Sequence, residues 1–339
     1  MVLTVERSAA AYVNDFPPFR ARPPWLGGDL QTLRNLIAGG EADLASWPAR
    51  RLELALGDGS GDRLSMALHQ PPDRRKGPLV VLIHGLTGCE DSRHVRASAR
   101  HLLENGHSVA RLNLRGAGPS RPLCRSQYNA GSSADLRDAL LSLRDQDRGV
   151  MRSGLVLVGY SLGANLLLKF LAEHGADFDV LAGVSVSAPI DLKAAQRRIM
   201  VPRNALYHRY LLTRMKRNAL AGGAEAGDDF RRAVSAARSV YAFDDTVVAP
   251  AGGYAGADDY YAKCSALGFL KAISVPTLMI HALDDPWIPA APYLAFDWRA
   301  APRLFPLLPK SGGHVGFHGR GSKAAWHDRC IVKFLEGRR

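Results

Sequence analysis

The chain has 339 residues, of which 47% are hydrophobic, and its 44 Lys and Arg against 32 Asp and Glu give a formal net charge of +12. A chain this long buries roughly three quarters of its unfolded surface, so its core needs no disulfide staples; Cys89, Cys124, Cys264 and Cys330 are scattered and form no CxxC pair or secreted framework. No apolar run has signal-peptide or membrane-spanning length, and no zinc-finger or RNP-type spacing accompanies the charge, so the expectation is a soluble cytoplasmic protein without a nucleic-acid partner.

Residues 1–48, rich in proline and aromatics ("FPPFRARPPWLGG"), are expected to wrap over a core rather than form regular structure. The stretch "RLELALGDGSGDRLSMALHQ" alternates apolar and polar residues about a Gly-Asp turn and predicts a hairpin. "PLVVLIHG" follows, an apolar run of the kind buried on both faces of a parallel sheet. Helical spacing over 92–105, a strand in "HSVARLNLRG", a helix in "SADLRDALLSL", a strand in "GLVLVGY", a helix in "LGANLLLKFLAEHG" and a strand in "VLAGVSVSAP" complete a βαβ rhythm. That rhythm predicts an α/β domain over 49–339, with a mostly parallel central sheet flanked by helices. It breaks after Pro189; residues of about 190–275 read as an inserted helical cap, after which "PTLMIHAL", "RLFPLLP" and "SKAAWHDRCIVKFLEG" supply two strands and a closing helix.

Gly159-Tyr160-Ser161-Leu162-Gly163 matches G-x-S-x-G with a strand before it and a helix after, the context that makes Ser161 a candidate nucleophile. A serine hydroxyl needs a base, and the base needs an orienting acid, in the chain order Ser, acid, His. Of the downstream histidines, His314 lies in the glycine-rich loop "PKSGGHVGF" after the last predicted strand. His174 lies on the helix after Ser161 and is expected to face away; His281, in a strand run, is expected to be buried and hydrogen-bonded; His318 reads as surface and His327 as part of the closing helix. "ALDDPWIP" offers the acid: Asp285 is preferred because Pro286 restricts its backbone, with Asp284 as the alternative. The backbone amides of Leu86, in "HGLTG", and Leu162 are the expected oxyanion donors, and His84 reads as structural.

Together with "LGGDLQTL", "LNLRGAGPS" and "YNAGSSADLRDAL", these motifs resemble the α/β-hydrolases, and more narrowly their YheT-like branch, which includes bacterial esterase-like proteins and animal ABHD-type lipid hydrolases. The resemblance spans most of the chain and implies a carboxylesterase-type serine hydrolase acting on short- to medium-chain or lipid esters. It maps Ser161, Asp285 and His314 onto nucleophile, acid and base and implies no metal or organic cofactor. The sequence departs from the family at Asp29 and Asn129, where histidine is usual, and at Ala282, where glycine is frequent.

Between Lys193 and Arg217 the chain carries eight Lys and Arg and no acid, interleaved with apolar residues. Such a basic amphipathic cap is suited to peripheral contact with an anionic membrane surface; the plainer expectation is a solvated helix packed by its apolar side. An acyltransferase and a non-catalytic binding protein on the same fold are the rival functions. The sequence carries no indication of oligomeric state.

Overall fold

The short apolar runs assemble into one eight-stranded sheet with the order β1-β2-β4-β3-β5-β6-β7-β8. Its strands are β1 (Ala49–Ala55), β2 (Arg63–His69), β3 (Leu79–Ile83), β4 (Ser108–Leu112), β5 (Leu155–Tyr160), β6 (Val180–Val186), β7 (Thr277–Ile280) and β8 (Leu304–Leu307). The structure is a computed structural model and describes residues 16–37, 42–71, 77–221 and 227–337. Strands β1 and β2 form the expected antiparallel hairpin, β2 pairs antiparallel with β4, and every later pairing is parallel.

Among the described residues nine helices have eight or more residues: α1 (Gly27–Ile37), α2 (Arg93–Glu104), α3 (Ser133–Gln146), α4 (Leu162–His174), α5 (Leu192–Ile199), α6 (Ala205–Leu220), α7 (Asp228–Ala236), α8 (Ala257–Cys264) and α9 (Trp326–Glu336). Alternation along β3 divides the core into two layers. Leu79, Val81 and Ile83 pack with Leu136 and Leu140 of α3 and Leu166 and Phe170 of α4, whereas Val80 and Leu82 pack with Val95 and Leu102 of α2 and Ile331 and Phe334 of α9. Because helices cover both faces, all five residues of β3 are buried, which is why its sequence is continuously apolar. Each such side chain stabilises the fold by roughly 1.5–3 kcal/mol.

Between β6 and β7 the described residues form α5 to α8 and a helical stretch over 240–251, and no strand joins the sheet; 222–226 of the expected cap lie outside the described residues. This segment has its own small core of Ile199, Met215, Val234 and Phe243. Asn165 of α4 ties it to the sheet layer: its side chain donates to the Cys264 carbonyl at 2.8 Å and accepts from the Ala266 N–H at 2.9 Å.

The N-terminal expectation needs correction in one respect. Residues 1–15 and 38–41 lie outside the described residues, and residues 16–26 run irregularly, with Trp326 Nε1 donating to the Pro17 carbonyl and Phe19 packing edge-on to Phe317. Gly27–Ile37, however, is a regular helix, α1. Between Pro24 and Ile37 no proline interrupts the chain, and the helix gains tertiary partners that no local pattern displays: its Gln31 side chain donates to the His318 carbonyl, and Asn35 to the Val315 carbonyl. Among the described residues no helix is long and apolar enough to cross a membrane.

Candidate active site

Ser161 sits where β5 gives way to α4, with φ 53° and ψ −123°, a left-handed backbone conformation unusual for a residue with a side chain. Two glycines make the turn possible by close approach. A Cβ on Gly163 would lie 2.1 Å from the His84 carbonyl oxygen, and one on Gly159 would lie 2.6 Å from the Gly163 carbonyl oxygen and the Ala164 Cα. The Ser161 N–H donates to the Val186 carbonyl at 2.8 Å, anchoring the turn to β6.

His314 arrives from the loop after β8. Its Nε2 is 2.9 Å from Ser161 Oγ, and its Nδ1 is 2.8 Å from Asp285 Oδ2. The loop is strained, with Gly313, Val315 and Phe317 at φ 60°, 54° and 51°, and the β-branched Val315 is the least suited of these to that region. Contacts from other elements hold it: His314 N–H donates to Thr32 Oγ1 at 2.8 Å, Val315 N–H to Ser187 Oγ at 3.2 Å, and the Trp287 ring stacks on the imidazole at 4.6 Å between centroids.

The two adjacent aspartates have separate tasks. Asp285 is buried, and its Oδ1 accepts from the N–H groups of Trp287 and Ile288 at 2.8 and 3.0 Å; Pro286 between has no N–H to compete. Burial pushes its carboxyl up, but the charge and hydrogen bond of His314 outweigh this and hold it below the ordinary carboxylate range. Asp285 therefore accepts the Nδ1–H, which leaves Nε2 to accept from the Ser161 hydroxyl. Asp284 instead accepts from the Gly313 N–H at 2.9 Å and is raised by burial, so it shapes the loop without touching the imidazole.

Ser161, Leu86 and Leu162 line one cavity of about 530 Å³, walled by Ile199, Leu211, Met215 and Phe243 from the inserted helices. Leu162 is the first residue of α4, so its N–H has no acceptor within the helix. Leu86 follows Gly85, which is so close to the turn at Ser161 that a Cβ there would lie 2.9 Å from Ser161 Cβ.

The remaining histidines stand elsewhere. His84 is buried and pushed down to about 4 by that burial; its Nε2 accepts from the Leu114 N–H at 3.1 Å, and its Nδ1 is 2.8 Å from the Gly85 carbonyl, the structural use expected of it. His174 ends α4, with its ring 3.6 Å from Asp177, and His327 is buried within α9. His281 is buried as expected, but both ring nitrogens lack hydrogen-bond partners; the ring stacks flat on Tyr293 at 4.1 Å instead. His318 is not a surface residue: it is buried, its Nε2 is 2.9 Å from Asn35 Oδ1, and burial lowers it to about 3.

Sequence reasoning missed the supports. Trp287 and Thr32 lie in "ALDDPWIP" and "LGGDLQTL", whose local patterns announce no such role, and Asn129, where the family usually has histidine, lines the cavity beside Tyr128. Asp29, the other departure, pairs with Arg203 and accepts from Tyr207 Oη at 3.0 Å, joining α1 to the inserted helices. Asp244, in a π-helical turn over Asp244–Val248, is a buried carboxyl on the cavity wall, held by Tyr261 Oη at 2.6 Å and raised by burial to about 7. One of two adjacent aspartates in a helical run, Asp244 beside Asp245, carries no sequence signal for such a place.

A family model described as the alpha/beta hydrolase fold matches residues 78–320. The chain is 34% identical over 281 residues to "Putative esterase YheT" of Escherichia coli, covering 80% of this chain and 78% of that protein. It is 28% identical over 270 residues to the monoacylglycerol lipase of Saccharomyces cerevisiae, covering 76% of this chain but 59% of that protein. Six further curated relatives are likewise longer, with 58% to 66% of their length spanned. Among solved structures, the Pyrococcus furiosus esterase Pf2001 superposes with a TM-score of 0.59 at 17% identity, covering 95% of this chain and 97% of that one, a likeness of fold. The chain belongs to the α/β-hydrolase family, on its YheT-like, ABHD-type branch.

Proposed function

We propose that this chain is a carboxylic-ester hydrolase in which Ser161 is the nucleophile, His314 the base, Asp285 the orienting acid, and the Leu86 and Leu162 amides the oxyanion donors. The observation that carries the reading is the unbroken hydrogen-bond chain from Asp285 through His314 to Ser161 Oγ. Ser161 Oγ attacks the ester carbonyl as His314 Nε2 takes its proton. The carbonyl oxygen becomes an oxyanion held by the two amides. Collapse expels the alcohol, which takes the proton from His314, and leaves an acyl-Ser161 ester. Water, deprotonated by His314, attacks that ester; the second tetrahedral intermediate releases the carboxylic acid and restores Ser161. Each step uses side chains and amides of this chain, without a cofactor.

The inserted helices act as a cap that selects the acyl group. An apolar cavity of about 530 Å³ suits a short- to medium-chain acyl group, and a monoacyl lipid is within the same class. The test is a panel of esters from acetyl to long-chain, with a monoacylglycerol and a phospholipid, run beside Ser161→Ala. Highest kcat/KM at short to medium chains, abolished in the variant, is expected; activity retained by Ser161→Ala overturns the assignment.

A second reading concerns the setting of the reaction: the protein works in the cytoplasm at an anionic membrane surface. It is favoured by Leu206, 84% exposed on the basic segment 193–217, and by Leu26 and Leu30 at 53% and 42% on the neighbouring N-terminal element, joined to that segment through Asp29 and Arg203. Sedimentation with anionic vesicles at low salt tests it: co-sedimentation lost at high salt is expected, and the absence of binding at low salt contradicts it.

A further inference from the structure

The loop 84–88 ("HGLTG") converges on one atom, the Gly85 carbonyl oxygen. Tyr128 Oη donates to it at 2.9 Å, the Gly88 N–H at 3.1 Å, and His84 Nδ1 lies 2.8 Å away. Because His84 Nε2 accepts from the Leu114 N–H, the proton of this neutral ring is on Nδ1 and is donated to Gly85. The Gly85 carbonyl and the Leu86 N–H belong to one trans peptide, whose C=O and N–H point in opposite directions. Whatever fixes the carbonyl therefore fixes the direction of the Leu86 N–H.

Tyr128 is the one donor of the three that comes from outside this loop. It belongs to the "YNAG" segment before α3 and packs its ring edge-on against His84 at 5.4 Å. Thr87 itself is at φ 58°, so the loop is held in a conformation that it would not adopt unaided.

We propose that Tyr128 is a positioning residue for catalysis: by pinning the Gly85 carbonyl from the far side, its hydroxyl aims the Leu86 N–H at the oxyanion. This rests on the reading of Ser161 as nucleophile and Leu86 as an oxyanion donor. Outright loss of such a donor lowers kcat by about 10²–10³-fold. Loss of one pin of three leaves the donor present but less well aimed, and a kcat lowered roughly tenfold is expected.

The experiment compares the parent, Tyr128→Phe and Ser161→Ala on p-nitrophenyl butyrate, and measures inhibition by an alkyl trifluoromethyl ketone, to which a serine adds to form a tetrahedral oxyanion. For Tyr128→Phe, a roughly tenfold lower kcat, an unchanged KM, a trifluoromethyl ketone weakened by the same factor and a melting point within a few degrees of the parent support the proposal. The coupled change in kcat and inhibitor affinity is a readout that a merely structural hydroxyl would not move. Parental kcat in Tyr128→Phe, a lowered kcat with unchanged ketone inhibition, or a variant that fails to fold overturns it. Parental activity in Ser161→Ala is a different failure: it removes the nucleophile on which the proposal rests.

Discussion

His314 Nε2 lies 2.9 Å from Ser161 Oγ although 153 residues separate the two. Two unrelated loops produce that meeting, both held in left-handed backbone conformations that their residues would not choose locally: Ser161 at φ 53° and Val315, beside the imidazole, at φ 54°. The sheet supplies the compensation, through the Ser161 N–H on the end of β6 and the Val315 N–H on Ser187 just beyond it. Strain concentrated at two such points, and held by neighbouring elements, is the pattern of a preorganised site.

The adjacent aspartates separate cleanly by substitution. Asp285→Asn removes the acceptor that fixes the imidazole tautomer and is expected to lower kcat by roughly 10³–10⁴-fold with the fold intact. Asp284→Asn loosens only the Gly313 contact and is expected to lower kcat by about tenfold or less. Steady-state kinetics on one ester distinguishes them; equal losses would contradict the division of labour.

Gly163 tests the packing behind Ser161. In Gly163→Ala the new Cβ meets the His84 carbonyl oxygen at 2.1 Å and that of Ile83 at 2.8 Å, both backbone atoms that cannot rotate away. A loss of at least about 3 kcal/mol is expected, beyond most overpacking changes because β3 and α4 must separate. Urea unfolding monitored by circular dichroism measures it, and a loss under about 1 kcal/mol would show that the turn has slack.

Asp244 gives stability a pH dependence of definite sign. Burial raises its carboxyl from the ordinary 3.8 to about 7, so the folded state holds the proton more tightly than the unfolded chain does. The group adds no penalty below the ordinary value, an increasing one as pH rises from there, and its full penalty above about 7. Asp244→Asn is expected to stabilise the protein by roughly 2–4 kcal/mol near pH 8, with the gain disappearing towards pH 4. Thermal unfolding at both pH values checks this; a gain independent of pH would contradict it.

What could be read in the sequence follows from how local the physical cause is. The sharp turn at Ser161 was legible because steric crowding demands glycine at 159 and 163 within a strand-to-helix transition. In the sequence Pro286 is what favours Asp285 over Asp284, and in the structure, with no N–H at Pro286, the Trp287 and Ile288 amides donate to the Asp285 carboxylate. The supports were not legible. Thr32 holds His314 across 282 positions in the chain, Tyr128 reaches Gly85 across 43, and neither residue type in its local pattern announces a partner so distant. Helix α1 and the burial of His318 were missed for the same reason, since each depends on contacts between the N-terminal segment and the loop near 315–318.

The central claim, that Ser161 is the nucleophile activated by His314, is tested most directly by covalent labelling. A fluorophosphonate probe is incubated with the parent, Ser161→Ala and His314→Ala, and the modified peptide is identified by mass spectrometry. The account predicts one adduct on the peptide carrying Ser161, none in Ser161→Ala, greatly slowed labelling in His314→Ala, and loss of ester hydrolysis in step with loss of the adduct. An adduct on another residue, or undiminished hydrolysis by Ser161→Ala, would contradict it.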